Sequence, residues 1–400
     1  MTKHANYLKL CIFIFMPALL FFFISGTDLK AQSETKPMVF GVSLDLSGSY
    51  KVMSQMQKNG FLLWQKHVNE QGGILGRPVE VIINDNKGSL EVLYDHYSRM
   101  LADPEIEFVF CPYSSSQTGK VAELFERYKV PVLASGASAP SLWDRGYKYL
   151  FGLYSPADKY SQGFLEIMSM NNRKRLAMFH SRDIFSSGAA HGARVWAERL
   201  GMDILIFDSV EDEPHSYDQA VDKAQSAEAS VMMMFGYLDS SILMREAIFR
   251  ADWSPDAYYA TVGPVSNEYY NTLKDLAEDT FSTAIWKYHS NLIYPGVHRF
   301  NADFINNYNQ EPSYHAAAAY AAGQLMAQAL NRAGSVNYTQ LRDILEKMES
   351  FSIIGRYGVN HRGQQIRHVA FITQWQNGEL EIVWPSNLST ASPRIEYGQR

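Results

Sequence analysis

Short apolar runs alternate along the chain with longer stretches whose apolar residues recur every three or four positions. The runs at 37–46, 79–83, 108–111 and 130–134 have the length and content of buried strands. Between them the spacing predicts helices over 52–69, with Gly60, Leu63, Trp64 and His67 on one face, and over 89–101. A third helix carries Val121, Leu124, Phe125 and Tyr128 at i, i+3, i+4 and i+7. His67 reads as a packed helix residue, and 72–78 as a glycine-rich turn. The rhythm restarts after Tyr154. Strands are expected at 176–179, 204–207, 231–235, 258–261 and 280–286, with a helix face marked by Ala193, Trp196, Ala197 and Leu200. Helices over 314–330 and 338–350 follow, then strands at 369–373 and 380–383 joined by a hairpin signal, Gln376-Asn377-Gly378. Strand–helix alternation at this spacing means βαβ units and parallel sheets. With 400 residues and no low-complexity linker, the chain is expected to form two α/β lobes joined by several short crossings.

Two strand ends carry the candidate chemistry. The 108–111 run stops at Pro112, and Ser114, Ser115, Ser116, Gln117 and Thr118 lead into the next helix. Serine and threonine cap helix starts, where the first-turn N–H groups are unpaired and attract a carboxylate or another polar group. One such turn reads as plain capping. Here a second apolar strand ends likewise, in Ser135, Gly136, Ala137, Ser138, Ala139 and Pro140. Adjacent parallel strands bring both turns to one carboxyl edge, where open α/β sheets bind ligands.

Composition adjusts this picture at its edges. Lys3, His4 and Lys9 precede an apolar run at 11–24 and small residues up to Ala31, the pattern of a cleaved export leader at 1–31. Its removal takes three lysines and one aspartate and lowers the net charge from −6 to −8. A mildly acidic chain without a basic run excludes nucleic acid as the expected partner. Cys111 would then be the sole cysteine, read as a buried thiol, so no internal disulfide is expected. Asp85 lacks the alternating oxygen ligands of a calcium loop, and neither cofactor nor metal is expected. No Walker motif, Gly-x-Gly-x-x-Gly, Cys-x-x-Cys, His-Glu-x-x-His or Gly-x-Ser-x-Gly elbow is present, so no enzyme is expected. His180, Ser181 and Asp183 are neighbours on one loop, which is no basis for a catalytic relay.

The segment 39–49, the run Asn69-Glu70-Gln71-Gly72-Gly73-Ile74-Leu75-Gly76-Arg77-Pro78, and the two serine turns together resemble type I periplasmic binding proteins. The resemblance is to the branched-chain amino acid (leucine/isoleucine/valine)-binding group of ABC importers. The stretch 147–151, Gly236-Tyr237 and His315-Ala316-Ala317-Ala318-Ala319-Tyr320 extend it over nearly the whole chain. It implies two Rossmann-like lobes with parallel-sheet cores and a three-strand hinge, closing on a small ligand in the periplasm and presenting it to permease subunits. Lobe one would be 37–153 plus 287–354 and lobe two 154–286 plus 355–385, with a tail at 386–400. Ser115, Ser116, Gly136, Ala137 and Ser138 match positions that hold the ligand carboxylate, Tyr237 matches an aromatic of the second lobe, and Ser49 and Tyr50 flank the cleft. A secreted sensor signalling to a membrane receptor is the alternative role.

Two departures bear on the ligand. Phe185 stands where the family often has tyrosine, and Val265 stands after Gly263-Pro264 where it usually has an acid for the ligand ammonium. A buried ammonium without a counter-charge costs several kcal/mol. Either Asp183, Asp239 or Glu268 substitutes, or the ligand is no α-amino acid. The second alternative implies an amide, a urea-like molecule or a carboxylate, entering an apolar mouth of Tyr50, Tyr113, Trp143, Phe185 and Tyr237. Aromatics fill cores as readily as they line ligand sites.

Overall fold

The strand Met38–Leu44 is buried at every position, as a continuous apolar run should be when both faces of a sheet are covered. It is the middle of a three-stranded parallel sheet between Val79–Asp85 and Phe108–Val109. A computed structural model describes residues 35–395, so the leader read at 1–31 lies outside the described residues. The expected pairing of 130–134 beside 108–111 does not extend this ladder. Val132–Ala134 instead pairs in parallel with Leu150–Gly152 as a separate two-stranded sheet.

Helix Lys51–Glu70 packs along Tyr314–Ala333, whose alanines from 316 to 322 are buried. The axes approach closely at Gly60, where a Cβ would lie 2.2 Å from the Ala316 carbonyl oxygen. His67 is buried here, with Nδ1 2.8 Å from the Tyr320 hydroxyl and Nε2 2.9 Å from an Asp303 carboxylate oxygen. It joins three helices, consistent with a packing role.

The second half is a seven-stranded sheet in the order Glu379–Trp384, Phe371–Gln376, Phe281–Ala284, Ala257–Ala260, Val231–Phe235, Arg175–His180, Asp203–Ser209. The last five are mutually parallel, and the first two form an antiparallel hairpin added at the Phe281–Ala284 edge. The hairpin turn is Asn377-Gly378, with φ of 56° and 81°, the left-handed pair that a tight two-residue turn requires. Val231–Phe235 is wholly buried between helices, which explains its unbroken apolar composition.

Five helices were not expected: Gln162–Met170, Pro214–Ser226, Leu238–Arg250, Asn267–Leu273 and Val297–Tyr308. In Pro214–Ser226 the buried face of Tyr217, Ala220, Val221 and Ala224 keeps the i, i+3, i+4, i+7 spacing, so this helix was legible in the sequence and was missed. The strands Leu150–Gly152, Ser350–Ser352 and Gly355–Tyr357 are too short to announce themselves. The chain passes between the halves three times: after Gly152, after Ala284 and after Tyr357. Among the described residues no helix is long and apolar enough to cross a membrane.

Candidate functional site

The carboxyl edge of the first half is built by side-chain capping of its own backbone. Asp45 accepts hydrogen bonds from the N–H groups of Gly48 at 2.6 Å and Tyr50 at 3.0 Å. Asp85 accepts from Leu46 N–H at 3.0 Å and the Ser47 hydroxyl at 2.7 Å. These bonds fix the loop that carries Ser49, which is exposed, and Tyr50, which is half-buried. Asp85 is thus a loop-holding group.

The two serine turns meet, though their strands are not laddered. Ser114 N–H donates to the Gly136 carbonyl at 2.9 Å, and the Ser114 hydroxyl accepts from Gln117 N–H at 3.2 Å to cap helix Ser115–Tyr128. The Ser115 hydroxyl accepts from the N–H groups of Ser138 at 3.2 Å and Ala139 at 3.1 Å. One hydroxyl hydrogen therefore remains to donate. Gly136 has no room for a side chain, since a Cβ would lie 2.6 Å from the Pro112 carbonyl oxygen and 2.7 Å from Tyr113 Cα. Ser115, Gly136, Ala137 and Ser138 are buried and Ser116 is half-buried. Beneath the turn, Gln57 donates from Nε2 to the Ser135 carbonyl at 3.0 Å. Gln57 Oε1, Ser54 Oγ and Ser135 Oγ are buried without a hydrogen-bond partner. Cys111 is buried beside Thr118, and burial pushes its thiol up to about 12, so it is no nucleophile.

The facing edge of the second half is organised differently. Asp183 caps helix Ile184–Arg199, accepting from Phe185 N–H at 2.9 Å, Ser186 N–H at 3.0 Å and the Ser186 hydroxyl at 2.5 Å. Both of its oxygens are engaged. The Phe185 ring packs against Tyr160 and Tyr237, with centroids 5.8 Å and 5.1 Å away. Val265 is buried in a short turn, Gly263–Val265, whereas Asp239 and Glu268 are exposed.

Rings from both halves meet in the cleft. Tyr50 lies 5.4 Å from Tyr113 and 5.1 Å from Tyr237 between centroids. Tyr113 packs 5.1 Å from His315, which stacks on Tyr314 at 3.8 Å. Burial raises the Tyr50 phenol to about 12, helped by the charges of Asp183 and Asp45. Burial also lifts Tyr113, Tyr154, Tyr237 and Tyr314 well above the ordinary phenol value. Burial depresses His315 to about 3, and its Nε2 lies 3.1 Å from the Tyr113 hydroxyl. The wall is therefore uncharged at neutral pH and rich in groups that both donate and accept hydrogen bonds.

A cavity of about 580 Å³ lies on one side of this wall, lined by Ser49, Tyr50, Arg182, Asp183, Tyr237 and Asp239 among others. A second, of about 290 Å³, is lined by Met56, Val265, Glu268, Trp286, Tyr314 and His315 among others. Met53 borders both. The first cavity sets Asp183, Asp212, Asp239 and Arg182 beside the Tyr50 and Tyr237 rings, and the second mixes apolar side chains with Glu268, Lys287 and Glu311. Ser115, Ser116, Gly136, Ala137 and Ser138 line neither cavity. The hydroxyl of Tyr160 reaches Ser138, and that of Tyr50 reaches Ser114. Trp143 is buried in the core of the first half with Leu142 and Leu150, away from both cavities. Among the described residues no group of three His, Cys, Asp or Glu side chains is placed to hold a metal ion.

The sequence profile of the periplasmic binding proteins matches residues 37–379. The chain belongs to the periplasmic binding protein family. Its fold is the two-lobed type I fold, an α/β architecture with parallel-sheet cores. This binding protein is 21% identical over 397 residues to Leu/Ile/Val-binding protein homolog 8 of Brucella suis, covering 93% of this chain and 97% of that one. A branched-chain amino acid transporter substrate-binding protein of Streptococcus pneumoniae, solved with isoleucine, superposes with a TM-score of 0.77 at 18% identity, over 86% of this chain and 98% of that one. A solute-binding protein of Rhodopseudomonas palustris, solved with 3,4-dihydroxybenzoic acid, gives 0.75 at 14% identity, over 90% and 99%. At these identities the likeness to the solved structures speaks for the fold alone.

Reading the binding protein's sequence missed Met53, Tyr154, Tyr160, Trp286, Tyr314 and His315 as cleft residues. Tyr314 and His315 open an alanine-rich helix right after Ser313, and two rings at a helix start are the signal that was available. Met53 and Trp286 carry no such signal.

Proposed function

We propose that the protein is a periplasmic solute receptor that captures one small molecule between its lobes and hands it to the membrane subunits of an ABC importer. Lobe one is taken as 37–153 plus 287–354 and lobe two as 154–286 plus 355–385. The observation that carries this reading is the ring wall shared across the cleft, with Tyr50 and Tyr113 on one side and Phe185 and Tyr237 on the other. Closure brings these rings together, and a ligand with different contacts in the open and closed forms shifts the balance between them. No catalytic step is assigned. The wall pairs no strong base with an activated nucleophile, because Cys111 is sealed and burial leaves His315 only a weak base.

The ligand is proposed to be a small carboxylate or amide without an α-ammonium. Val265 offers no charge, and Asp183 spends both oxygens on its own helix start. Asp239 and Glu268 are exposed and Asp183 already holds three donors of its own helix start, so an ammonium would find only a shared or solvent-exposed counter-charge. Although they line neither cavity, the serine turns are proposed to present the Ser115 and Ser116 hydroxyls and a helix N-terminus to a carboxylate or amide oxygen. Relatives of like fold hold isoleucine in one case and a dihydroxybenzoic acid in another, so the fold admits both kinds of ligand.

The test is a thermal-shift screen of protein unfolded and refolded to remove carried-over ligand. The panel holds branched-chain and aromatic amino acids, their deaminated acids, benzoates, short amides and urea. Stabilisation by acids or amides supports the ligand class. Stabilisation by amino acids alone overturns it and turns attention to Glu268 and Asp239. Silence throughout removes the support for a ligand of this kind.

A further inference from the structure

The first and third passages between the halves are stitched together by hydrogen bonds. Gly152 N–H donates to the Gly363 carbonyl at 2.7 Å, and Gln365 Nε2 donates to the Leu153 carbonyl at 2.9 Å. The third stitch is His368, half-buried beside Ser155. Ser155 N–H donates to His368 Nδ1 at 3.3 Å, and the Ser155 hydroxyl donates to the His368 carbonyl at 2.7 Å. A hydroxyl has one hydrogen, so its 3.1 Å approach to Nδ1 is no second donation. Nδ1 is thereby an acceptor, and the network assigns the ring hydrogen to Nε2. The ring also meets the backbone of Ile285, in the second passage, and of Ile354, just before the third. One imidazole thus touches all three passages.

We propose that His368 is a positioning residue of the hinge, its neutral ring tying the three passages so that they flex as one unit. The reading rests on the proposed closure of the lobes around a ligand. Hinges concentrate backbone rotation in a few residues. Three unconnected passages would let the lobes twist as well as close. A shared ring with one acceptor and one donor couples their rotations and leaves a narrower path. The Ser155 hydroxyl, bonded to the His368 carbonyl, holds the ring's own backbone to the first passage.

The test needs no ligand. Spin labels at Lys129→Cys and Glu228→Cys, both exposed and one in each half, report the distance between halves by pulsed electron paramagnetic resonance. The expected result is a narrow distribution for the otherwise unaltered protein. In His368→Phe, which keeps a ring but loses both hydrogen-bonding nitrogens, the width should at least double. His368→Asn, whose amide keeps a polar group at the Nδ1 position but does not reach Ile285, should recover part of the narrowness. A Phe variant as narrow as the parent overturns the proposal, and so does an Asn variant as broad as Phe, because loss of packing would then explain everything. Should the Phe variant fail to fold, Ser155→Ala removes one stitch alone. It should broaden the distribution measurably, and parental width there overturns the proposal. If no molecule of the ligand panel shifts the parent distribution, the capture reading fails separately from this one.

Discussion

The two faces of the cleft solve different problems with different residues. On the first face, small side chains are spent on the protein's own backbone. Ser114 and Ser115 cap and cross-link two turns, and Gly136 lets those turns touch. On the second face, Asp183 caps one helix and the remaining surface holds the Phe185 and Tyr237 rings, a buried valine, Arg182 and exposed acids. A face bound so tightly to itself has little freedom to change and suits a fixed anchor for an oxygen-bearing group. A face of loosely connected side chains can be altered one residue at a time, and suits selection among ligands.

The largest expected difference concerns pH. His315 on the first face and His368 at the hinge are depressed to about 3 and about 4 by burial, against an ordinary value near 6.5. In the unfolded chain both take up protons as pH falls through about 6.5, while the folded protein resists until far lower. Stability is therefore full above that point and lost as pH falls towards 4, by roughly 1.4 kcal/mol per pH unit for each histidine. Urea-unfolding midpoints at several pH values should show this slope, and His315→Gln should remove its share. A midpoint indifferent to pH over that window contradicts the neutral assignment.

Much of the fold was legible in the sequence because its parallel strands are buried on both faces and therefore continuously apolar. Val231–Phe235 and Met38–Leu44 are the plainest cases. Both serine turns were legible for the same reason that capping works: hydroxyl residues at strand ends advertise unpaired N–H groups. Their mutual bonding was not, because Ser115 meets Ser138 through two turns and no strand ladder. The ring wall was half legible. Tyr50, Tyr113, Phe185 and Tyr237 stand at strand ends, whereas Tyr160, Tyr314 and Trp286 arrive from helix starts and a crossing, whose positions follow only from the packed fold. Trp143 shows the converse: a polar, turn-rich setting in sequence, yet a core residue in three dimensions.

Next in size is Gly136→Ala, which should cost about 1–3 kcal/mol of stability because the added methyl overlaps backbone on the opposite turn. Denaturant unfolding checks it, and a neutral result would mean that the first face is less rigid than described. Ser116→Ala and Ser138→Ala should each weaken a carboxylate or amide ligand by roughly 1–3 kcal/mol. Ser116→Ala should leave the unfolding midpoint nearly unchanged, whereas Ser138→Ala also strips the buried Tyr160 hydroxyl of its partner and should lower it. Calorimetry separates the two effects, and undiminished affinity in both would remove the anchor from the serine turns. Smallest are changes to the exposed acids of the second face. Asp239→Asn and Glu268→Gln should alter affinity for such a ligand by no more than about 0.5 kcal/mol. A larger loss on either would give that acid a place in recognition and narrow the contrast between the faces.

The contrast is tested most directly by titrating the refolded protein and its Val265→Glu variant with leucine and with 4-methylpentanoate, which differ only in the amine. The parent should bind the acid at least about tenfold more tightly, a difference of ~1.4 kcal/mol, and Val265→Glu should shift the preference towards leucine. A parent that binds leucine and ignores 4-methylpentanoate would contradict the account, because the cleft would then hold a counter-charge that Val265 does not supply.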